Sequence, residues 1–209
     1  IATMPTITCD TDRSAPPGPS PVLGLYCQHR RVSRLVPVAA GALSLAAVVA
    51  LLVWSAGAFG AGSVAFAVMA VWIPMAGLGA ASHLLTPRLP QRWHELRGWE
   101  RDGRAYERVG VRVVKALLRR GPLALFNPHL HLPPEPTPAG IAALDQRMRD
   151  AEASHTLLFA GTLALVGYDL ARGWWVAAVV ALGSNVVLNG YPVMLQRYNR
   201  ALLRRRFPG

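Results

Sequence analysis

From Leu35 to Pro87 the chain carries no Asp, Glu, Lys or Arg. A water-soluble domain of 209 residues rarely keeps so long a run free of charge. Over the whole chain 16% of residues are charged, against roughly 25% in soluble domains. An ordinary cytosolic enzyme, a disordered chain and a disulfide scaffold are excluded on these grounds. The fold expected is all-α and integral to a membrane.

The uncharged run divides at Ser55–Ser63, a stretch rich in Gly and Ala. That gives spans at about 35–54 and 64–85, each near the ~20 residues needed to cross ~30 Å of hydrocarbon. Further apolar segments at 153–168 and 174–195, separated by Asp169, Arg172 and Gly173, supply a third and a fourth. Residues 1–34, with Pro16, Pro17, Pro19 and Pro21, read as a disordered tail, and 35–209 as one membrane domain. A cleaved signal peptide is the weaker reading, because the polar lead is too long and a second span follows at once.

Basic residues fix the expected orientation. Four of the 22 lie before residue 35, twelve in the loop 86–152 and five after Gln196, leaving Arg172 alone in a hairpin turn. The positive-inside rule then puts both termini and the middle loop in the cytoplasm, at the cell membrane. The same rule, with an anionic phospholipid surface as partner, accounts for the net charge of +11. Nucleic acid is not an expected partner, since no groove-reading or base-stacking motif accompanies the arginines.

Within the middle loop, Trp93, Leu96, Trp99, Gly103, Tyr106, Gly110, Val113 and Leu117 recur every three or four residues. Arg97, Arg101, Arg104, Arg108, Arg112, Lys115 and Arg119 follow the same period on another face. The pattern predicts an amphipathic basic interfacial helix, or two shorter ones. Its bland reading is a surface anchor, and its sharper one the floor of a lipid-facing site.

Two segments carry candidate chemistry. Glu152 and His155 are three residues apart, so they share a helix face, and a carboxylate beside an imidazole can raise its basicity. The alternative is a histidine that merely packs at a helix interface. In the fourth span, Asn185, Asn189, Gln196 and Arg200 trace one polar stripe, which reads either as a site or as interhelical glue. Because the third and fourth spans form an antiparallel hairpin, His155 and the Gln196–Arg200 cluster should lie at the same membrane face. Cys9 and Cys27 have no metal-ligand spacing, and no metal site is expected.

The string Asn189-Gly190-Tyr191-Pro192-Val193-Met194-Leu195-Gln196-Arg197-Tyr198-Asn199-Arg200, preceded by Ala151-Glu152-Ala153-Ser154-His155, resembles the glycosyl-4,4'-diaponeurosporenoate acyltransferase family. Trp99-Glu100, Gly103, Tyr106, Gly110-Val111 and Lys115 are similar to that family's middle segment. The resemblance implies transfer of a fatty acyl group to a sugar hydroxyl of a glycosylated carotenoid or related membrane lipid. Acyl-CoA is the implied donor, with no tightly bound cofactor. His155 would take the hydroxyl proton, oriented by Glu152 or Asp150. Arg197, Arg200 and Arg204 would hold donor phosphates, with Asn189, Gln196, Tyr198 and Asn199 lining the substrate site. The reading from a different class is a non-catalytic membrane scaffold or binding protein for envelope or pigment synthesis.

Overall fold

A computed structural model of the chain describes residues 21–80, 87–120 and 137–207. Among these the architecture is entirely helical. Helix α1 (Pro21–Phe59) and α2 (Val64–Ala80) form a first hairpin. The middle segment holds the short α3 (Gln91–His94), a 3₁₀ turn at Gly98–Glu100, α4 (Arg104–Arg108) and α5 (Val111–Arg120). The long α6 (Pro138–Ala171) turns back into α7 (Trp175–Asn185), which runs through a π turn at Val186–Gly190 into α8 (Tyr191–Arg206).

Local chemistry sets the ends of α6. Thr137 caps it, its Oγ1 accepting from the Gly140 N–H at 3.1 Å, and Pro138 fills the first turn, where a missing donor costs nothing. At the other end, the Gly173 N–H donates to Leu170 O and the Trp174 N–H to Asp169 O. This is the paired closure of a Schellman turn, and it reverses the chain in three residues.

Helices α6, α7 and α8 pack as an antiparallel hairpin, with α2 against α7 and α1 outermost on α2. Where α2, α6 and α7 cross, the core is Ala67, Val166, Ala177, Ala178 and Ala181, small side chains that let the backbones approach. Gly77 of α2 packs in the same way against Val48 of α1. Two further clusters tie the middle segment and the start of α6 to α8: Tyr106, Val111, Leu195 and Tyr198, and then Leu144, Met148 and Leu203.

Two helical stretches, Val38–Phe59 and Trp175–Arg206, are long and apolar enough to cross a membrane, where four spans were expected. The described apolar part of α2 is Val64–Gly79, with Pro74 inside it. The expected third span is part of α6, whose preceding turns carry Asp145, Arg147, Arg149, Asp150 and Glu152, and whose apolar half is interrupted by Thr162 and Asp169. Helix α1 starts at Pro21 and so takes in residues 21–34, which were assigned to the disordered tail. Residues 1–20 and the end of the expected second span lie outside the described residues, as does most of the proline-rich loop before α6.

Among the described residues the middle segment is four short helical pieces rather than one or two, and α5 among them is strongly amphipathic. Gly103 and Gly110, at φ 75° and 81°, break it into pieces, since a left-handed residue cannot continue a right-handed helix. The apolar stripe divides accordingly. Leu96 and Tyr106 are buried, while Trp93, Trp99, Val113 and Leu117 stay exposed.

Candidate functional site

On α6, Asp145, Glu152 and Met148 share one face, which meets Arg197, Arg200 and Leu203 coming the other way along α8. Glu152 is fully buried and accepts from Arg197 Nη1 at 2.6 Å and from Arg200 Nη1 at 2.8 Å. Arg200 is equally buried. Its Nε donates to Asp145 Oδ1 at 3.0 Å and its Nη2 to the His94 carbonyl at 2.6 Å, so every arm of the guanidinium is engaged.

Arg197 extends this network into the middle segment. Its Nε and Nη2 grip the two oxygens of Glu100, each at 2.7 Å, in the forked geometry that makes Arg–carboxylate pairs strong. Nη1 also reaches Trp93 O and Nη2 reaches Glu95 O, at 2.9 and 3.0 Å. Tyr106 donates its hydroxyl to Glu100, and the Arg97 backbone N–H reaches the same carboxylate at 2.6 Å. Arg149 pairs with Asp145 at 2.6 Å. Three guanidinia thus face three carboxylates, and the buried lattice is neutral while His94 is uncharged. The Nδ1 of His94 lies 3.3 Å from Glu152 Oε2 but is not aligned as a hydrogen bond.

These contacts set the ionisation of the lattice. Burial alone would push the Glu100 carboxyl up, but hydrogen bonds from Arg197, Tyr106 and the Arg97 backbone outweigh it and bring the group down to about 2. Burial likewise works against ionised Asp145, and the hydrogen bonds of Arg200 and Arg149 reverse the sign and lower it. Tyr106 is pushed above the ordinary phenol range, first by burial and then by the anionic Glu100 that it serves.

Beside this lattice opens a cleft of about 550 Å³. Its walls include Arg92, Trp93, Arg97, Trp99, Val193 and Arg197. Arg92 and Arg97 form no ion pair among the described residues, and the carboxylates of Glu95 and Glu100 line the same cleft, Glu100 being held by Arg197.

Deeper along the hairpin is a second polar group. Pro192 has no N–H for the Leu188 carbonyl, and its ring would press on that oxygen in a regular helix. The backbone widens just before it into the π turn, the Tyr191 N–H reaching Val186 O. There Asn185 and Asn189 point at α6. His155 Nδ1 lies 3.1 Å from Asn189 Oδ1, Asn189 Nδ2 donates to Asn185 Oδ1 at 2.9 Å, and Asn185 Nδ2 donates to the Phe159 carbonyl at 3.0 Å. The Nε2 of His155 has no partner among the described residues, and the residue is half-buried. Asn189 and cleft-lining Val193 are four residues apart, about 6 Å along the axis at 1.5 Å per residue.

The expected site residues therefore fall into separate groups. His155 is partnered by Asn189, and neither carboxylate expected to orient it does so. Glu152 is claimed by Arg197 and Arg200, while Asp150 accepts from Gln146 Nε2 at 2.8 Å. Tyr198 donates to Glu107, Asn199 accepts from Lys115, and Arg204 is exposed. Gln196 is buried, with its Oε1 unpartnered among the described residues. Sequence reasoning missed His94, Glu100, Tyr106 and Asp145 as site-forming groups. The seven-residue step from Asp145 to Glu152, which puts both on one face opposite the arginines, was the available signal for one of them.

No curated protein and no solved structure gives a significant match to the chain. The family model described as CrtO, glycosyl-4,4'-diaponeurosporenoate acyltransferase, matches residues 90–207, a segment that contains the lattice, the cleft and the His155 group. This match covers more than half of the chain, which therefore belongs to the glycosyl-4,4'-diaponeurosporenoate acyltransferase family.

Proposed function

We propose that the protein is a membrane acyltransferase that moves a fatty acyl group from acyl-CoA to a hydroxyl of a glycosylated carotenoid or a related membrane lipid. The family match over residues 90–207 carries this reading. The unpartnered Nε2 of His155, whose ring meets Asn189 one turn from cleft-lining Val193, supplies a chemistry for it. His155 takes the acceptor's hydroxyl proton, the oxygen attacks the thioester carbonyl, and the C–S bond breaks. The leaving thiolate then recovers a proton from the imidazolium.

Donor phosphates belong with Arg92 and Arg97 in this scheme. Arg197 and Arg200, assigned that task on sequence grounds, are already committed to buried carboxylates. The indoles of Trp93 and Trp99 border the same cleft and offer flat surfaces to a nucleotide base or a sugar.

The membrane setting is part of the proposal. Helix α1 leaves Val38, Leu43, Leu45, Val53 and Trp54 more than half exposed, and α7 does the same with Trp175, Val176 and Val179. Apolar surface on that scale suits lipid better than water. In this arrangement the two long helices cross the bilayer and α2 and the later half of α6 are carried between them. The middle segment sits at the cytoplasmic headgroups with both termini.

Mass spectrometry of membrane lipids and pigments tests the function. The samples are cells lacking the protein, cells with it restored, and cells with His155→Gln at equal abundance. A species heavier by one acyl group, present only with the intact protein, is the expected result. Identical profiles in all three would replace the enzyme with a scaffold.

A further inference from the structure

The amide chain beside His155 has only one consistent direction. A backbone carbonyl can accept but not donate, so the group that Asn185 turns toward Phe159 O must be its NH₂. Its oxygen then faces Asn189, which must answer with its own NH₂. That leaves the Asn189 oxygen toward His155, 3.1 Å from Nδ1. Reversing the Asn189 amide would set two oxygens 2.9 Å apart. The remaining contact is complete only with a proton on Nδ1.

We infer that Asn185 and Asn189 are positioning residues: anchored on the Phe159 carbonyl, they hold neutral His155 in its Nδ1–H tautomer and leave the Nε2 lone pair free to act as the base. In water neutral imidazole favours the opposite tautomer, so the protein imposes this one. The backbone secures both ends of the chain. Asn185 and Asn189 lie one turn apart against His155 and Phe159, likewise one turn apart on the antiparallel α6. Gly190 allows the Phe159 ring to come within 3.3 Å of where a Cβ would stand, which keeps the anchoring carbonyl close. The inference rests on His155 being the base of the proposed transfer, and it replaces the substrate-lining role that the resemblance gave Asn189.

The test is NMR of the full chain in lipid nanodiscs, with histidine ring nitrogens labelled and the His155 signals identified through His155→Gln. A protonated and a bare ring nitrogen are well separated in such spectra. The expected result for neutral His155 is a proton on Nδ1 and none on Nε2. Asn189→Leu and Asn185→Leu should each move the proton to Nε2, the second by freeing the Asn189 amide to turn over. In acyl-CoA turnover, Asn189→Leu should lower kcat about 100-fold, the scale of a misdirected general base, with KM for the donor nearly unchanged.

A proton on Nε2 in the wild-type protein would overturn the inference, and so would a tautomer indifferent to Asn189→Leu. Should the leucine variants fail to fold, the wild-type spectrum decides alone. The predicted tautomer in a protein that transfers no acyl group would instead reject the function and leave the positioning intact.

Discussion

Arg200 and Glu152 form an ion pair in which neither side chain reaches solvent, with 2.8 Å between Nη1 and Oε2. Such a pair gains little over well-packed apolar residues, but losing one partner is severe because the other charge is stranded. Glu152→Leu leaves Arg197 with Glu100 and Arg200 with Asp145, but the buried lattice then holds one positive charge with no counter-charge. A loss of about 3–5 kcal/mol is expected, read as a fall in the unfolding midpoint of the detergent-solubilised protein. Arg204→Ala, at an exposed position of the same helix, should stay within about 0.5 kcal/mol.

The cleft arginines should behave in the opposite way. Arg92→Ala and Arg97→Ala remove no ion pair of the described residues, so stability should hardly change. Each lost charge-assisted hydrogen bond to a phosphate is worth about 1.5–3 kcal/mol, which corresponds to a rise in KM for acyl-CoA of roughly ten- to a hundredfold. The comparison of KM with unfolding midpoint in one set of variants checks both statements.

Stability should depend on acid through Glu100. Its folded value of about 2 lies below its ordinary 4.5. The stabilisation is therefore complete above about 4.5 and lost as pH falls from there toward 2. Asp145 shifts in the same direction and adds to the same limb. Denaturant unfolding across this range should show the loss, and Glu100→Gln should flatten it.

At the alkaline end the sign reverses. Tyr106 is raised above its ordinary 10.0, so its contribution is whole below that value and fades as pH climbs beyond it. Tyr106→Phe should remove this alkaline fall and lower the plateau, since Glu100 loses a hydrogen-bond donor. Unfolding midpoints on both sides of neutrality are the readout.

Gly103→Ala should destabilise in two ways. Its φ of 75° is strained for any side chain, and an added Cβ would sit 3.0 and 3.1 Å from the Tyr198 ring. Gly60 shares the positive φ but has open space around it. Gly60→Ala should therefore cost only the backbone part, about 1 kcal/mol, and Gly103→Ala measurably more. Thermal unfolding of the two variants separates strain from collision.

What could be read from the sequence was whatever is encoded within a single helix. The helical class, the Asn185–Asn189 stripe and the packing of α6 against α8 follow from local periodicity and a short turn at Gly173. Glu152 shows where such reading fails. Its spacing from His155 gives a shared face, but the arginines of α8 lie across the groove and take the carboxylate first. The span count failed for a related reason. The third apolar segment is not a helix of its own but the later half of α6, whose earlier turns are charged and whose apolar run holds Thr162 and Asp169. Glu100 entered only through the resemblance and not as a site group, because its partner Arg197 is 97 residues away.

The π turn before Pro192 acts as a phase setting. One residue more than an α-helix needs sits between Asn185 and the carboxylate-facing arginines, with Asn189 inside the widened turn. Each residue turns a helix by about 100°, so deleting one from 186–190 would aim Arg197 and Arg200 away from Glu152 if Asn185 kept its place. The two polar groups are timed to each other by a single inserted residue, and a length change there would uncouple them without altering any side chain that takes part.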